Sequence, residues 1–210
     1  MNILKTLDNL PLDSFQSLRR IVLAVAILVA ITALLFLGSE PNHPELHEYV
    51  EAVGTALIFA AIVGRVWCTL YIGGRKAQEI VEAGPYSITR NPLYVFSAIG
   101  AAGVGCQTGS MVVGLAFGVF TALAFLIVIR REEIHLAEHF GAAYADYRAR
   151  VPRFWPNFAL FRDDQTVTVQ PRRIYSTLLD GLVFVIAIPF FETIEHVQNS
   201  GLLPIVLHLP

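Results

Sequence analysis

Met111-Val-Val-Gly-Leu-Ala-Phe-Gly-Val-Phe-Thr-Ala-Leu-Ala-Phe-Leu-Ile-Val-Ile129 runs for nineteen residues without a charge. A helix of about that length crosses the roughly 30 Å hydrocarbon core of a bilayer. The stretch therefore predicts a membrane span, and the sequence on either side extends the pattern. Before it, Gln107-Thr-Gly-Ser110 reads as a turn, and 92–106 as a shorter, small-residue-rich apolar segment. Together they predict a tight hairpin of two crossings. Further out, 21–37 is uncharged, 49–72 is interrupted only by Glu51 and Arg65, and 176–191 carries Asp180 and is expected to end at Pro189. The tail 202–209 is too short to cross and is expected at the interface. The whole chain of 210 residues is 55% hydrophobic and 15% charged. Soluble domains carry about 25% charged residues, so lipid supplies part of the solvent. The fold class is all-α: an integral membrane helical bundle of about five transmembrane helices, with a cytoplasmic C-terminal helical segment following the fourth.

Charge placement sets the topology. Fourteen of the fifteen Lys and Arg residues fall in 5–20, 75–90 and 130–173, and none in 38–48, 107–110 or 192–210. By the positive-inside rule, the N-terminus lies in the cytoplasm (facing inward from a bacterial inner membrane if the source is bacterial). The basic loops share that side. With twenty residues before it and a longer apolar run than a signal peptide's, 21–37 reads as a retained anchor. Cys68 and Cys106 lie in apolar segments and imply no disulfide framework. Three units are expected: 1–48, with the first helix; 49–160, a core of helices two to four plus a cytoplasmic helix; and 161–210, a linker, the fifth helix and the tail.

Specific polar residues gather in two inward stretches. In Glu82-Ala-Gly-Pro-Tyr-Ser-Ile-Thr-Arg-Asn-Pro-Leu-Tyr94, Gly84-Pro85 marks a turn and Asn91-Pro92 a helix start, with Asn as N-cap and Pro at the first helical position. The exposed N–H groups there, with Arg90 alongside, favour an anion; a lipid headgroup contact fits Arg90 as well. The second stretch, 130–156, continues the fourth helix past its apolar end. Glu132 and Glu133 form a carboxylate pair that needs cations or donors. Phe140, Tyr144 and Tyr147 recur at helical spacing, either as interface anchors or as the cover of a site. Glu132-x-x-His135 and His135/His139 have metal-site spacing, but no further ligands complete a shell on that side, and no metal is expected there. Gly114-x-x-x-Gly118 predicts close packing within the bundle. Arg65, roughly 10 Å deep in its helix at 1.5 Å per residue, either snorkels or faces a polar cavity and pairs with Glu132 or Glu133. No G-x-G-x-x-G, P-loop or G-x-S-x-G is present.

Taken together, Gly84-Pro-Tyr-Ser-Ile-Thr-Arg-Asn-Pro-Leu-Tyr94, a helical hairpin, then Glu132-Glu133, Phe140-Gly141, Tyr144, Tyr147 and Val151-Pro152 resemble the isoprenylcysteine carboxyl methyltransferase family, itself similar to the membrane phospholipid methyltransferases. The resemblance covers about residues 60–156. It implies an S-adenosylmethionine-dependent methyltransferase whose cofactor site is lined by Gly84, Pro85, Tyr86, Arg90, Asn91 and Tyr94 and closed by Glu132 and Glu133. Arg130, Glu133 and Arg65 are the candidate catalytic residues, Arg130 as the arginine for a substrate carboxylate. The family's His is Asn91 here, which removes any role for a protonatable imidazole. The physical reading agrees: in-line methyl transfer is served largely by positioning and needs no metal or covalent nucleophile. Expected partners are membrane lipid and a lipophilic or small methyl acceptor, not nucleic acid; pairing with a second copy stays open. Two rival readings are an NADPH-dependent membrane reductase of the steroid-reductase type, which shares an R-x-P-x-Y signature, and a non-enzymatic scaffold or transporter.

Overall fold

The computed structural model describes residues 37–39, 44–75, 79–202, 205 and 207–209. The helices are α1 (Pro44–Ile72), α2 (Pro85–Ile88), α3 (Pro92–Cys106), α4 (Met111–Phe140), α5 (Ala142–Arg150) and α6 (Pro171–Asn199), with a 3-10 turn at Phe158–Leu160. Two three-residue strands, β1 (Leu37–Ser39) and β2 (Leu207–Leu209), pair in parallel. The tail read as interfacial is thus, at its end, paired to the segment entering α1. The crossing expected at 21–37 lies outside the described residues except for Leu37.

Among the described residues, α1, α4 and α6 are long and apolar enough to cross a membrane. The apolar α3 has 15 residues, about 22 Å at 1.5 Å per residue. The protein is a membrane helical bundle. α4 runs unbroken from its apolar half through the Glu132-Glu133 pair to Phe140, as the charge pattern predicts. Its start is fixed by Ser110, whose hydroxyl accepts from the Val113 N–H. It ends at Gly141, in the left-handed region at φ 54°.

The centre of the bundle is α3, held between α1 and α4 by small residues. A Cβ on Gly105 would lie 2.7 Å from the Val113 carbonyl and 2.8 Å from Gly114 Cα. Gly114 and Gly118 of the small-residue motif face Cys106 and Ala102 on α3, so the motif packs within the chain. Without a hydrophobic drive between helices in lipid, such close backbone approach supplies much of the attraction.

α6 lies along α1. Gly181 sits against Ile62, and the Thr69 and Thr177 hydroxyls are 2.9 Å apart. The helix does not stop at Pro189 but continues to Asn199. Beyond the proline, Phe191 and Ile194 bury against Val113 of α4, and that packing holds the last turns in place.

The stretch 162–173, read as a linker, is instead partly strapped to the bundle. The Gly84 N–H donates to the Arg162 carbonyl at 2.9 Å, and the Arg162 N–H donates to Ser87 Oγ at 3.2 Å. The Tyr71 hydroxyl donates to the Asp163 carboxylate, and Val167 packs on the Cys68–Tyr71–Tyr86 cluster. Its polar composition reflects these backbone and carboxylate contacts rather than freedom.

Gly105→Val should lower stability by about 1–3 kcal/mol, the cost of overpacking a tight contact. The thermal midpoint of the purified chain in detergent measures this; an unchanged midpoint would mean that α3 and α4 are not in close contact there.

Candidate active site

One end of the bundle is built from two segments distant in sequence. Residues 84–90 and 152–162 run antiparallel and are bonded at several points. Besides the Gly84–Arg162 bond, Asn157 N–H donates to the Ile88 carbonyl at 2.9 Å and Arg90 N–H to the Pro152 carbonyl at 2.9 Å. The Thr89 hydroxyl, itself buried, donates to the Arg153 carbonyl at 3.1 Å. Gly84 is needed at the turn twice over: its φ is +57°, and a Cβ there would lie 2.4 Å from the Tyr71 ring. The Pro85 and Gly84 of the sequence motif thus build the wall without lining the space behind it.

Where α3, α4 and the chain after α5 meet, Glu133 is buried at 5% exposure. Arg153 engages it with both nitrogen types, Nη2 to Oε2 at 2.5 Å and Nε to Oε1 at 3.2 Å. Arg90 Nε stands 3.4 Å from Oε1, and Asn91 Nδ2 donates to the same oxygen at 3.4 Å. Arg90 also donates from Nη1 to the Arg148 carbonyl at 3.1 Å, at the end of α5. Asn91 holds the N-cap position of α3 but makes no side-chain cap bond. Its amide nitrogen donates to Glu133 and the Arg153 carbonyl, and these two bonds fix the orientation of the side chain.

Beside this junction lies a cavity of about 370 Å³, within the 300–1,000 Å³ usual for small-molecule sites. Its polar lining includes Tyr86, Arg90 and Asn91 from the first motif and Arg131, Glu132 and Glu133 from the second. The Tyr94 hydroxyl is hydrogen-bonded to Glu132, and the Tyr94 ring packs 4.8 Å from that of Phe125. Ile72, Val81, Leu93 and Leu136 supply apolar wall. Tyr144 and Tyr147 also line the cavity, and with Val151 they are buried against Ile80, Leu136 and Phe140. The aromatic spacing on α5 therefore covers a site rather than meeting headgroups. Tyr147 donates to the Tyr86 carbonyl at 2.8 Å. Burial pushes the Tyr86, Tyr144 and Tyr147 phenols above their ordinary range, so at neutral pH all three are neutral donors. Two buried atoms on the lining residues, Tyr86 Oη and Arg90 Nε, have no hydrogen-bond partner in the structure.

Two expected site residues stand elsewhere. Arg130 is exposed, and its neighbour Arg131 lines the cavity instead. One residue along a helix is a rotation of about 100° at 3.6 residues per turn, so the two arginines cannot share a face. Arg65 does not reach the glutamates: its Nη1 donates to Ser97 Oγ at 3.0 Å, and its guanidinium lies 5.6 Å from the Phe184 ring centre on α6. The sequence reading missed Arg153. It falls twenty residues after Glu133, beyond a helix break, and no local spacing links the two.

Fold and site thus define a membrane-embedded helical bundle with a mostly apolar-walled cavity, carrying a few charged groups, at one end. A family model described as phospholipid methyltransferase matches residues 55–143, the span holding α3, α4, the Arg90-Asn91-Pro92 junction and the glutamate pair. The chain belongs to this family of membrane methyltransferases. It is 34% identical over 201 residues to the nickel-cobalt-cadmium resistance protein NccN of Alcaligenes xylosoxydans xylosoxydans, covering 95% of this chain and 94% of that protein. It is also 34% identical over 199 residues to the cobalt-zinc-cadmium resistance protein CzcN of Cupriavidus metallidurans, covering 94% and 92%. No solved structure matches the chain.

In a double-mutant cycle, Arg153→Met and Glu133→Gln should be coupled by about 0.5–3 kcal/mol, the range for contacting charged partners. Thermal or denaturant unfolding of the four proteins measures it, and additive effects would remove Glu133–Arg153 as the junction's tie.

Proposed function

We propose that the chain is an S-adenosylmethionine-dependent methyltransferase. Its cofactor would occupy the cavity between α3, α4 and α5, with a lipophilic or small molecule as acceptor. The observation that carries this reading is the presence of both charge signs around one cavity: Arg90 and Arg131 on one hand, Glu132 on the other. A zwitterionic cofactor with a flat base asks for both signs and for apolar wall. Tyr86 Oη, buried without a hydrogen-bond partner in the structure, is a donor available to such a ligand. When bound, S-adenosylmethionine supplies an electrophilic methyl group on a sulfonium.

The residues present fit that group. Arg90, beside the N-terminus of α3, suits the carboxylate; Glu132, oriented by the Tyr94 hydroxyl, suits the ammonium and the cationic sulfur. Leu93, Leu136 and Val81 would take the base. Glu133 is engaged by Arg153, so its part is to hold Arg90 and Asn91 in position. Arg131 takes over the acceptor-anion role expected of Arg130. Charges fixed in place by the fold need no reorganisation at the moment of reaction, and fixing donor and acceptor in line contributes much of the rate. Carboxylate, thiol and lipid amine acceptors are all compatible with the site. The relatives' names refer to metal resistance, and a methylation supporting metal tolerance is the setting proposed for this chain. The positive-inside rule supports a cytoplasmic position for the cavity, because Arg90, Arg131 and Arg153 lie on or beside it.

Titration of the purified chain should give saturable S-adenosylmethionine binding and none with NADPH; NADPH binding alone would overturn the reading. Tyr86→Phe should weaken binding about 2- to 12-fold, corresponding to a net 0.5–1.5 kcal/mol per hydrogen bond, without lowering the thermal midpoint, since the hydroxyl holds nothing in the protein itself.

A further inference from the structure

The end of the bundle opposite the cavity has a different composition. The described residues 44–64, 107–129 and 181–202 contain five glutamates, Glu45, Glu48, Glu51, Glu192 and Glu195, but no Lys or Arg. Carboxylates in those segments therefore have no basic side chain nearby in sequence to neutralise them.

Three of these residues converge. His47 and Glu51 lie one turn apart on α1, and Glu195 reaches them from α6. His47 Nε2 stands 3.2 Å from Glu51 Oε1 and 3.5 Å from Glu195 Oε2, and all three ligand atoms lie within 4.8 Å of one another. In a four-coordinate site with bonds of about 2.0–2.2 Å, ligand atoms stand roughly 3.3–3.6 Å apart. Both imidazole–carboxylate separations lie at or close to that spacing, and the two carboxylate oxygens stand within 4.8 Å of each other.

The imidazole is held in this orientation by a third element. Gly109, at φ +71° in the α3–α4 turn, lies so close to the ring that a Cβ would fall 1.9 Å from Nδ1. That contact occupies the Nδ1 side and leaves Nε2 towards the two carboxylates. The turn is in turn fixed to α1, because Gln107 Nε2 donates to the Glu51 carbonyl at 3.1 Å and to Thr55 Oγ1 at 3.3 Å. The side chains of His47, Glu51 and Glu195 are 16%, 27% and 45% exposed, so an ion can reach them from solvent.

We infer that His47, Glu51 and Glu195 form a binding site for a divalent transition-metal ion, at the opposite end of the bundle from the methyltransferase cavity. One neutral imidazole and two carboxylates bring a charge of −2 to a doubly charged cation. That mixed nitrogen–oxygen set suits zinc, cobalt or nickel rather than magnesium or calcium, which take all-oxygen shells. Three protein ligands leave a coordination position for water or an exchangeable ligand.

The test uses the full chain purified in detergent, with Zn²⁺, Co²⁺ and Mg²⁺ as probes. The wild type should take up one equivalent of Zn²⁺, gain thermal stability from it, and show a visible Co²⁺ absorption band that Zn²⁺ displaces. Mg²⁺ should not compete. His47→Gln and Glu195→Gln should each weaken Zn²⁺ binding at least tenfold and abolish the Co²⁺ band, while keeping the metal-free thermal midpoint. Tyr86→Phe, in the cavity, should leave Zn²⁺ affinity unchanged. If a variant unfolds, the wild-type Co²⁺ spectrum and its displacement still decide the matter. Zn²⁺ uptake equal in the wild type and the His47→Gln/Glu195→Gln double variant, or no Co²⁺ band in the wild type, would reduce the cluster to an internal ion pair and overturn the inference.

Discussion

The buried carboxylate of Glu133 is the constraint on which the working end of this protein depends. A carboxylate at 5% exposure is costly unless it is paired and hydrogen-bonded. Satisfying it draws in Arg153 from beyond α5, Arg90 from before α3, and the Asn91 amide. Two of those residues have a second attachment, to the Arg148 carbonyl for Arg90 and to the Arg153 carbonyl for Asn91. One unfavourable burial thus fixes three chain segments and gives the cavity its floor.

The membrane-embedded part is held by different means. Between α3 and its neighbours, small residues allow backbones to touch, and α6 adds a second layer through Gly181, the Thr69–Thr177 contact and Phe191. Arg65 is accommodated inside this layer by Ser97 and the face of Phe184. A single donor–acceptor pair and an aromatic face lower the cost of a cation at that depth, and the glutamates remain available to the cavity. The bundle thereby keeps its charged chemistry at its ends, with Arg90, Arg131, Arg153 and the glutamate pair at one and the His47 cluster at the other.

Much of this was legible in the chain itself. The apolar runs located the middles of α1, α3, α4 and α6, since helix length in lipid is fixed by hydrocarbon thickness, while α6 extends past both ends of the 176–191 run. The Glu132-Glu133 pair and the Arg90-Asn91-Pro92 junction were legible as polar residues that a membrane boundary does not require. Less legible were features set by contacts between distant segments. Asn91 resembled a cap because capping is a local signal, yet its side chain makes no cap bond and is oriented by donating to Glu133 from α4. Residues 162–173 resembled a linker because their polarity is local, while their bonds to 84–88 are not. Pro189 resembled a helix end, and packing beyond it on Val113 carried the helix further.

What the sequence by itself determined is the class: a helical membrane bundle with basic loops on one side and a paired-carboxylate motif among them. Periodicity, length and charge are properties of single segments and need no knowledge of neighbours. Only the tertiary structure decided that Arg131 rather than Arg130 faces the cavity, that Arg153 is the partner of Glu133, and that His47, Glu51 and Glu195 meet at the far end. Those outcomes depend on helix rotation and on which side chains the folded chain brings within a few ångströms. A one-residue step turns a helix by about 100°, and no pattern along a single segment fixes that angle against another helix.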